Sequence, residues 1–344
     1  MKRNILYTLV VVLAVCMACT ETDITGGEPS APEVSDVPLR LCVGNLVELQ
    51  TRGTDTEMQN STLAAGTQVG VFVMYERDYD SLRIGSSYHN ASYYYDNVRC
   101  RIEEDGSLHP VESAELFYPM GQDMKIAVFA YAPYDQNMTR EALLMPKDGI
   151  YVDSLQDSNA AVLKNDLLLG TPVMKNPLRM PISDHTSSPY PSEKIMLNLR
   201  HQRTRLIMNL KFSGTPELLD GRPIYHADSV LVFAENVPMA APLGYSLDTT
   251  MINYAVADSL VTDTMLMAVY TDVYVEEAQE KQFFATGIAL PSATPVEPSF
   301  CIVMVSGEER KYIRRRVTSP VVLERGTSVT FRTTVDSCGE DLAE

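Results

Sequence analysis

Apolar residues recur along this chain in short runs of strand length, separated by polar clusters that contain Gly, Pro, Asn or Asp. The runs are rich in β-branched and aromatic residues, which favour extended structure. In the first half they lie at 69–75, 92–95, 125–131, 195–199 and 205–212, and in the second half at 229–234, 265–275, 282–285, 300–305 and 328–335. The clearest alternation places Leu206, Met208, Leu210 and Phe212 on one face of a strand. This pattern predicts an all-β protein.

The length predicts two domains. A typical domain holds about 100 to 200 residues, and this chain has 344. The cluster Ser213-Gly214-Thr215-Pro216 interrupts the apolar runs, so we place a boundary there. We therefore predict two tandem antiparallel β-sandwiches at 37–213 and 214–338, with a short tail at 339–344. Helices are limited to a turn or two, at 165–170 and 217–219.

The N-terminal residues have a different composition. Two basic residues precede the apolar run 5–15, which is shorter than the roughly 20 residues that span a bilayer. Cys16-Met17-Ala18-Cys19 follow, and Cys19 is preferred to Cys16 because the small residue Ala18 precedes it, whereas Val15 precedes Cys16. This order is typical of a secretory signal that ends at a lipid-modified cysteine. Residues 1–19 are thus predicted to be a lipoprotein signal peptide with lipidation at Cys19, and 20–36, rich in Pro, Gly and acids, a flexible tether.

A first strand follows the tether. Val37, Leu39, Leu41 and Val43 alternate with other residues and share one face, which predicts a half-buried strand. The strand is followed by the polar, Gly-containing stretch 50–55. That stretch is predicted to be exposed and accessible to proteases.

Charge and cysteine content exclude several functions. The formal net charge is −17, so phosphate-rich partners would be repelled and we predict no nucleic-acid binding. Beyond the leader, Cys42, Cys100, Cys301 and Cys338 are widely scattered, without the spacing of a zinc site or a disulfide scaffold. One disulfide is possible and none is required. No metal and no cofactor are predicted.

Catalytic motifs are missing from the sequence. It contains no H-E-x-x-H, no G-x-S-x-G, no S-x-x-K and no phosphate-binding G-x-x-x-x-G-K-[ST]. Paired acids such as Glu103-Glu104 lie in turn-like segments of an acidic chain and are interpreted as solvated. The run Arg314-Arg315-Arg316 is interpreted as a solvated edge strand whose side chains alternate between two faces. We predict no catalytic residues and no enzymatic activity.

Tyrosine clusters support an alternative function, a surface glycan-binding lipoprotein of a polysaccharide-uptake system. Tyr93-Tyr94-Tyr95 and Tyr131-Ala132-Pro133-Tyr134 offer aromatic rings on which sugars can stack. The chain has no Trp, which weighs against this alternative. Consecutive Tyr residues in a strand also point to opposite faces, so at least one of the first cluster is expected in the core.

Several short motifs occur in the order found in one family. They are Thr51-Arg52-Gly53-Thr54, Gln68-Val69-Gly70-Val71-Phe72, Tyr93-Tyr94-Tyr95, Leu116-Phe117-Tyr118-Pro119, Phe129-Ala130-Tyr131-Ala132-Pro133-Tyr134, Asn165-Asp166-Leu167-Leu168 and Leu197-Asn198-Leu199-Arg200-His201. Over residues 50–213 the chain resembles the fimbrillin family of lipoprotein pilins. The resemblance implies two transthyretin-like Greek-key β-sandwiches, carried to the outer membrane by a lipid anchor and assembled into type V pili by donor-strand exchange.

The resemblance also implies site residues and partners. An Arg-specific protease would cut between Arg52 and Gly53 and so remove the strand that carries Val37, Leu39, Leu41 and Val43. A late strand of another subunit would fill the groove. The donor candidates in this chain are the late apolar runs 321–323 and 329–335, the second with the alternate residues Val329, Phe331, Thr333 and Val335.

The short tail after the last strand leaves stalk, tip and anchor subunits open, because that strand is also suited to completing its own domain. The implied partners are other pilin subunits, the outer membrane and surface ligands of host or bacterial cells.

Overall fold

The computed structural model of the chain describes residues 34–44, 63–83, 93–112, 115–119, 125–144, 149–170, 172–175, 193–212, 218–219, 222–223, 226–241, 247–248, 253–254, 260–274 and 281–335. The strands are β1 (Val34–Pro38), β2 (Leu41–Val43), β3 (Gln68–Tyr75), β4 (Tyr93–Ile102), β5 (Ser107–Pro110), β6 (Phe117–Pro119), β7 (Ile126–Ala132), β8 (Ile150–Tyr151), β9 (Leu168–Gly170), β10 (Val173–Lys175), β11 (Ile195–Leu197), β12 (Leu199–His201), β13 (Thr204–Phe212), β14 (Leu218–Leu219), β15 (Arg222–Pro223), β16 (His226–Ala241), β17 (Leu247–Asp248), β18 (Asn253–Tyr254), β19 (Val261–Tyr274), β20 (Lys281–Ala289), β21 (Ser299–Ser306), β22 (Glu309–Arg316) and β23 (Ser328–Val335). The helices are α1 (Glu76–Arg83), α2 (Arg140–Leu144) and α3 (Asn159–Asn165). The described chain is therefore mainly β with few short helices, as the sequence predicts.

The first half forms a nine-stranded sheet. Its strands follow the order β11-β2-β5-β4-β3-β7-β9-β12, and β10 pairs with β7 outside that path. All seven residues of β7 are buried. A strand buried on both faces has an uninterrupted apolar run, which is the pattern of 126–132.

The central strands of this sheet contribute to two hydrophobic cores. In β7, Ile126, Val128 and Ala130 belong to one core, whereas Phe129 and Tyr131 belong to the other. The N-terminal core consists of Leu39, Leu41, Val69, Val71, Val73, Cys100, Ile102, Leu108, Leu116, Tyr118, Ile126, Val128, Ala130, Ala132, Leu168, Ile195, Leu197 and Leu199. The central core joins Phe72, Met74, Ala127, Phe129 and Tyr131 to the buried side chains of β13, β16, β19, β20 and β21. Because side chains alternate along a strand, one sheet separates the two cores.

The second half contains a three-stranded sheet in the order β20-β13-β23. The predicted alternation in β13 is confirmed, since Leu206, Met208, Leu210 and Phe212 are all buried. β12 belongs to the nine-stranded sheet and β13 to this one, so the change of sheet lies between His201 and Thr204. Residues from Ser35 onward form one compact unit. The boundary at 213/214 and the transthyretin-like Greek-key description of two domains stay predictions.

A five-stranded sheet has the order β19-β16-β21-β22, with β8 paired to β16. The arginine run in β22 is divided between two faces as predicted, but the expectation of a solvated edge is wrong for Arg315, which is buried while Arg314 and Arg316 are exposed. The Nε of Arg315 donates to Thr333 Oγ1 at 3.2 Å. This hydrogen bond connects the edge strand β22 to β23.

The 150–156 segment links the first half of the chain to the second. It pairs with β16 through β8, and the Val152 N–H donates to the Met239 carbonyl at 2.9 Å. Gln156 at its end is fully buried. Its Nε2 donates to the carbonyls of Asp153 and Ile288 at 2.8 and 2.9 Å, and its Oε1 accepts the Ile288 N–H at 2.7 Å. One side chain therefore fixes this segment to β20.

Two local predictions were wrong. The predicted helical turn at 165–170 ends instead in the buried strand β9, inserted between β7 and β12, and the preceding helix α3 begins after the cap Ser158. The predicted turn at 217–219 contains β14, which pairs with β15. In both cases consecutive leucines show no periodicity that separates a buried strand from a helix.

The buried thiols lead to a prediction. Cys42, Cys100 and Cys301 are free and buried, whereas Cys338 lies outside the described residues. Burial raises the pKa of the Cys100 thiol from 9.0 to about 12. At pH 8 its thiolate is then about a thousandfold scarcer than for an ordinary cysteine.

We expect Cys100 to resist iodoacetamide in the folded chain and to react after unfolding, as measured by mass spectrometry of labelled peptides. Burial raises the pKa of the Cys100 thiol in the folded chain. The contribution of this thiol to stability is therefore fully present below pH 9 and is lost between about pH 9 and 12. Labelling of Cys100 in the folded chain at the rate seen in urea would contradict this.

Candidate strand-exchange site

The N-terminal segment 37–44, predicted as a single strand, is divided between two strands, since β1 pairs with β6 in a separate two-stranded sheet and β2 lies in the nine-stranded sheet. Its apolar side chains nevertheless pack into the N-terminal core. Leu39 and Leu41 are 6% and 3% exposed and belong to that core. Val37 and Val43 are partly buried and pack against it. The four side chains that alternate in the sequence thus lie in, or against, one hydrophobic core. Leu39 and Leu41 are thus almost completely shielded from water.

The backbone of the segment is hydrogen-bonded on both sides. β2 pairs antiparallel with β5 and parallel with β11, so it is an inner strand of the nine-stranded sheet. The Val43 N–H donates to the Gly106 carbonyl at 2.9 Å, and the Ile195 N–H donates to the Arg40 carbonyl at 2.8 Å. Removing the segment would leave donors and acceptors of two strands without partners.

The opposite face of β2 is also buried. Cys42 is almost fully shielded from solvent, and its Sγ lies 3.6 Å from the Ile195 carbonyl oxygen and 3.7 Å from Met196 Sδ. Burial raises the pKa of this thiol. The alternation in the sequence did not predict this, because Cys42 stands at a position assigned to the solvent face. An embedded strand is buried on both faces.

An ion pair joins the two neighbours of β2. The Nζ of Lys194, just before β11, lies 2.9 Å from Oδ2 of Asp105, just before β5. Both side chains are substantially exposed, so the pair contributes little to stability. It nevertheless connects the two walls of the groove that removal of β2 would open.

The residues of the predicted processing reactions lie outside the described part of the chain. These are the lipidation site Cys19 and the protease site Arg52-Gly53. The described residues end at Gly44 and begin again at Leu63. Lipidation and cleavage therefore stay predictions.

The candidate donor strand β23 is part of its own sheet. It pairs in parallel with β13 over eight residues, from Arg205↔Ser328 to Phe212↔Val335. Val329 and Phe331 pack against the central core, and the Phe331 ring centroid lies 4.8 Å from that of Phe300. Thr333 is buried. The donor role of β23 stays a prediction, and these contacts favour its retention in its own subunit.

The proposed aromatic platforms are largely engaged in the fold. Tyr131 is fully buried, and its hydroxyl lies 2.8 Å from Asn97 Oδ1 and 2.9 Å from the Asp135 carbonyl oxygen. A Cβ at Gly70 would collide with the Tyr131 ring, so glycine is required there. The Tyr95 hydroxyl accepts the Phe117 N–H at 3.0 Å. Of the second cluster, only Tyr134 remains available at a surface.

Metal-ligand clusters and membrane-spanning helices are both absent from the described residues. Among them, no group of His, Cys, Asp or Glu is arranged to hold a metal ion. Within the same part of the chain, no helix has the length and apolar character to cross a membrane.

Comparison with known proteins decides the family. The fimbrillin-like family model matches residues 51–343, which is most of the chain. The chain belongs to the fimbrillin-like family. This confirms the resemblance seen in the sequence. A search of curated proteins found no match.

Solved structures share the fold of this fimbrillin-like chain. A candidate cell adhesion protein of Bacteroides uniformis is 17% identical with a TM-score of 0.51, and the alignment covers 88% of this chain and 93% of that one. A candidate cell adhesion protein of Bacteroides ovatus is 16% identical with a TM-score of 0.50, over 88% and 93% of the two chains. At these identities the likeness concerns the fold alone.

Membership sets the general class of function. Fimbrillin-like proteins are structural proteins of cell-surface fimbriae and adhesins, so this chain is not an enzyme. The class agrees with the absence of catalytic motifs in the sequence. Family membership also bears on the embedded segment 37–44, because subunits that assemble need a site that binds their neighbours.

Proposed function

We propose that this fimbrillin-like chain is a pilus subunit, exported as a lipoprotein, that exchanges its N-terminal segment 37–44, which contains β2, for a strand of a neighbouring subunit. The observation that carries the proposal is the position of β2 between β5 and β11. A segment with two paired edges and two buried faces leaves a groove with specific hydrogen-bonding groups when it departs. Such a groove selects another strand.

Cleavage after Arg52 is the proposed trigger. In the precursor, lipid on Cys19 holds the chain at the outer membrane while 37–44 occupies the groove. Cutting after Arg52 turns the segment into a separate peptide, which can then leave. The incoming strand would pair with β5 and β11 and place apolar side chains where Leu39 and Leu41 lay.

We further propose that the subunit accepts a strand and donates none. β23 is the last strand of the described chain, and it is bonded along its length to β13 and packed on the central core. Donating it would remove Val329 and Phe331 from that core. A subunit with an acceptor groove and no free donor ends a filament, which favours a tip position over a stalk position.

Cell-surface microscopy tests this proposal. Antibody against the chain should label filaments by electron microscopy, with gold at their ends and not along their length. Cys19→Ala should abolish fatty-acid labelling of the precursor and gold labelling at filament ends, whereas Cys16→Ala, at the other cysteine of the leader, should retain both. Uniform labelling along the shaft would contradict the tip position. Lipid labelling retained in Cys19→Ala would contradict the anchor.

A further inference from the structure

A cavity lies apart from the strand-exchange site. It has a volume of about 870 Å³ and opens between the loop after β7, the 150–156 segment, α3 and Arg203. This volume is within the range of ligand pockets, about 300 to 1,000 Å³. None of its lining residues belongs to β2, β5 or β11. Its properties are therefore independent of strand exchange.

Aromatic rings form part of the cavity wall. Tyr151 is 68% exposed although it belongs to the paired strand β8. Tyr134 lines the cavity as well, and the Arg99 guanidinium lies 5.9 Å from its ring centroid. An exposed aromatic ring on a rigid strand offers a flat apolar face at little cost in side-chain entropy.

The cations of the cavity are already paired with protein acceptors. Lys164 Nζ lies 3.1 Å from Asp153 Oδ2. The Arg203 guanidinium donates to the carbonyls of Asn165 and Tyr151, the latter at 3.1 Å. These groups leave little positive charge for an anion, and the chain carries a net charge of −17. An anionic ligand is therefore disfavoured.

The polar side chains of the cavity suit hydroxyl groups. Gln136 and Asn137 are exposed in the loop after β7 and carry amides that both donate and accept. Asp135 holds this loop in place, because its carbonyl accepts from Asn97 Nδ2 at 2.9 Å and its Oδ1 accepts the Asn137 N–H at 2.9 Å. The amides are thus presented by an ordered loop, which lowers the entropy lost on binding.

We infer that this cavity binds a neutral oligosaccharide. Sugar rings combine an apolar face, which stacks on a tyrosine, with hydroxyl groups that bond to amides and carboxylates. Tyr151 supplies the stacking face, and Gln136 and Asn137 supply the amides. The inference gives the ligand class and the location of an adhesive contact, and it holds whether or not the chain exchanges a strand.

Binding measurements on the purified full chain test the inference. The probes are short oligosaccharides of glucose, galactose and mannose, with heparin fragments as the anionic comparison, followed by calorimetry and saturation-transfer NMR. We expect Tyr151→Ala to weaken binding of the preferred neutral sugar by about tenfold or more. Tyr151→Phe should retain it, because the ring is kept.

Tyr312→Ala is the matched control, because Tyr312 is 61% exposed on β22 and does not line the cavity. It should bind like the unaltered chain. Gln136→Ala, in an exposed loop position, gives a second variant if Tyr151→Ala does not fold. Three outcomes would overturn the inference: no binding of any neutral sugar, preference for heparin fragments, or equal losses in Tyr151→Ala and Tyr312→Ala.

Discussion

Cleavage after Arg52 by an Arg-specific endopeptidase is expected to convert a stable monomer into oligomers or into a much less stable monomer. The cleaved segment carries Leu39 and Leu41, which are buried, and Val37 and Val43, which are partly buried. At about 1.5 to 3 kcal/mol for each buried side chain, its departure removes roughly 5 to 10 kcal/mol. That is comparable to the whole stability of many domains, about 5 to 15 kcal/mol.

Light scattering after size exclusion and thermal unfolding would measure the two outcomes, with N-terminal sequencing to establish the cut. Arg52→Lys is the matched control, because it keeps the charge, resists the Arg-specific enzyme and becomes a substrate for a Lys-specific one. A synthetic peptide of residues 37–52 added in excess should restore stability and suppress oligomers. A cut chain that loses the segment and remains a stable, non-associating monomer would contradict the proposal.

Gln156→Ala is expected to lower the free energy of unfolding by about 2 to 4 kcal/mol. The substitution deletes the bonds to the N–H and carbonyl of Ile288 and to the carbonyl of Asp153, at a site with no exposure to water. Buried backbone groups left without partners are costly. The effect reflects the loss of the link between the 150–156 segment and β20.

Urea unfolding followed by circular dichroism measures this change. Gln282→Ala is the control on the same strand, because Gln282 is exposed, and it should change stability by less than about 0.5 kcal/mol. Equal urea midpoints for Gln156→Ala and Gln282→Ala would show that the Gln156 side chain does not hold the 150–156 segment to β20.

The sequence predicts the strands of this fold better than their pairing. The alternation in β13 placed Leu206, Met208, Leu210 and Phe212 on one buried face, and the structure confirms it. Pairing is less predictable, because it depends on residues far apart in sequence. β13 ends the predicted first domain yet pairs with β20 and β23.

Polar residues with structural roles were the hardest to predict. Gln156 has no sequence feature that separates it from an exposed loop glutamine, and only the surrounding carbonyls explain its burial. Helix α1 was missed because six of its eight residues are polar or charged and because it begins directly after β3. The helix prediction at 165–170 failed because the leucines of β9 are enclosed between β7 and β12.

The candidate site was predicted in part. Alternation identified Val37, Leu39, Leu41 and Val43, and the structure places all four in or against the N-terminal core. No sequence pattern indicated that Cys42 is buried on the other face or that β2 has neighbours on both sides. Both features come from long-range pairing with β5 and β11.

The N-terminus of the assembled subunit tests the central claim most directly. Filaments sheared from cells and purified can be dissociated, and the subunit analysed by intact mass and N-terminal sequencing. Strand exchange predicts a chain that begins at Gly53 and lacks the peptide containing Leu39 and Leu41. A filament-associated subunit that still begins at lipidated Cys19 and retains that peptide would contradict it.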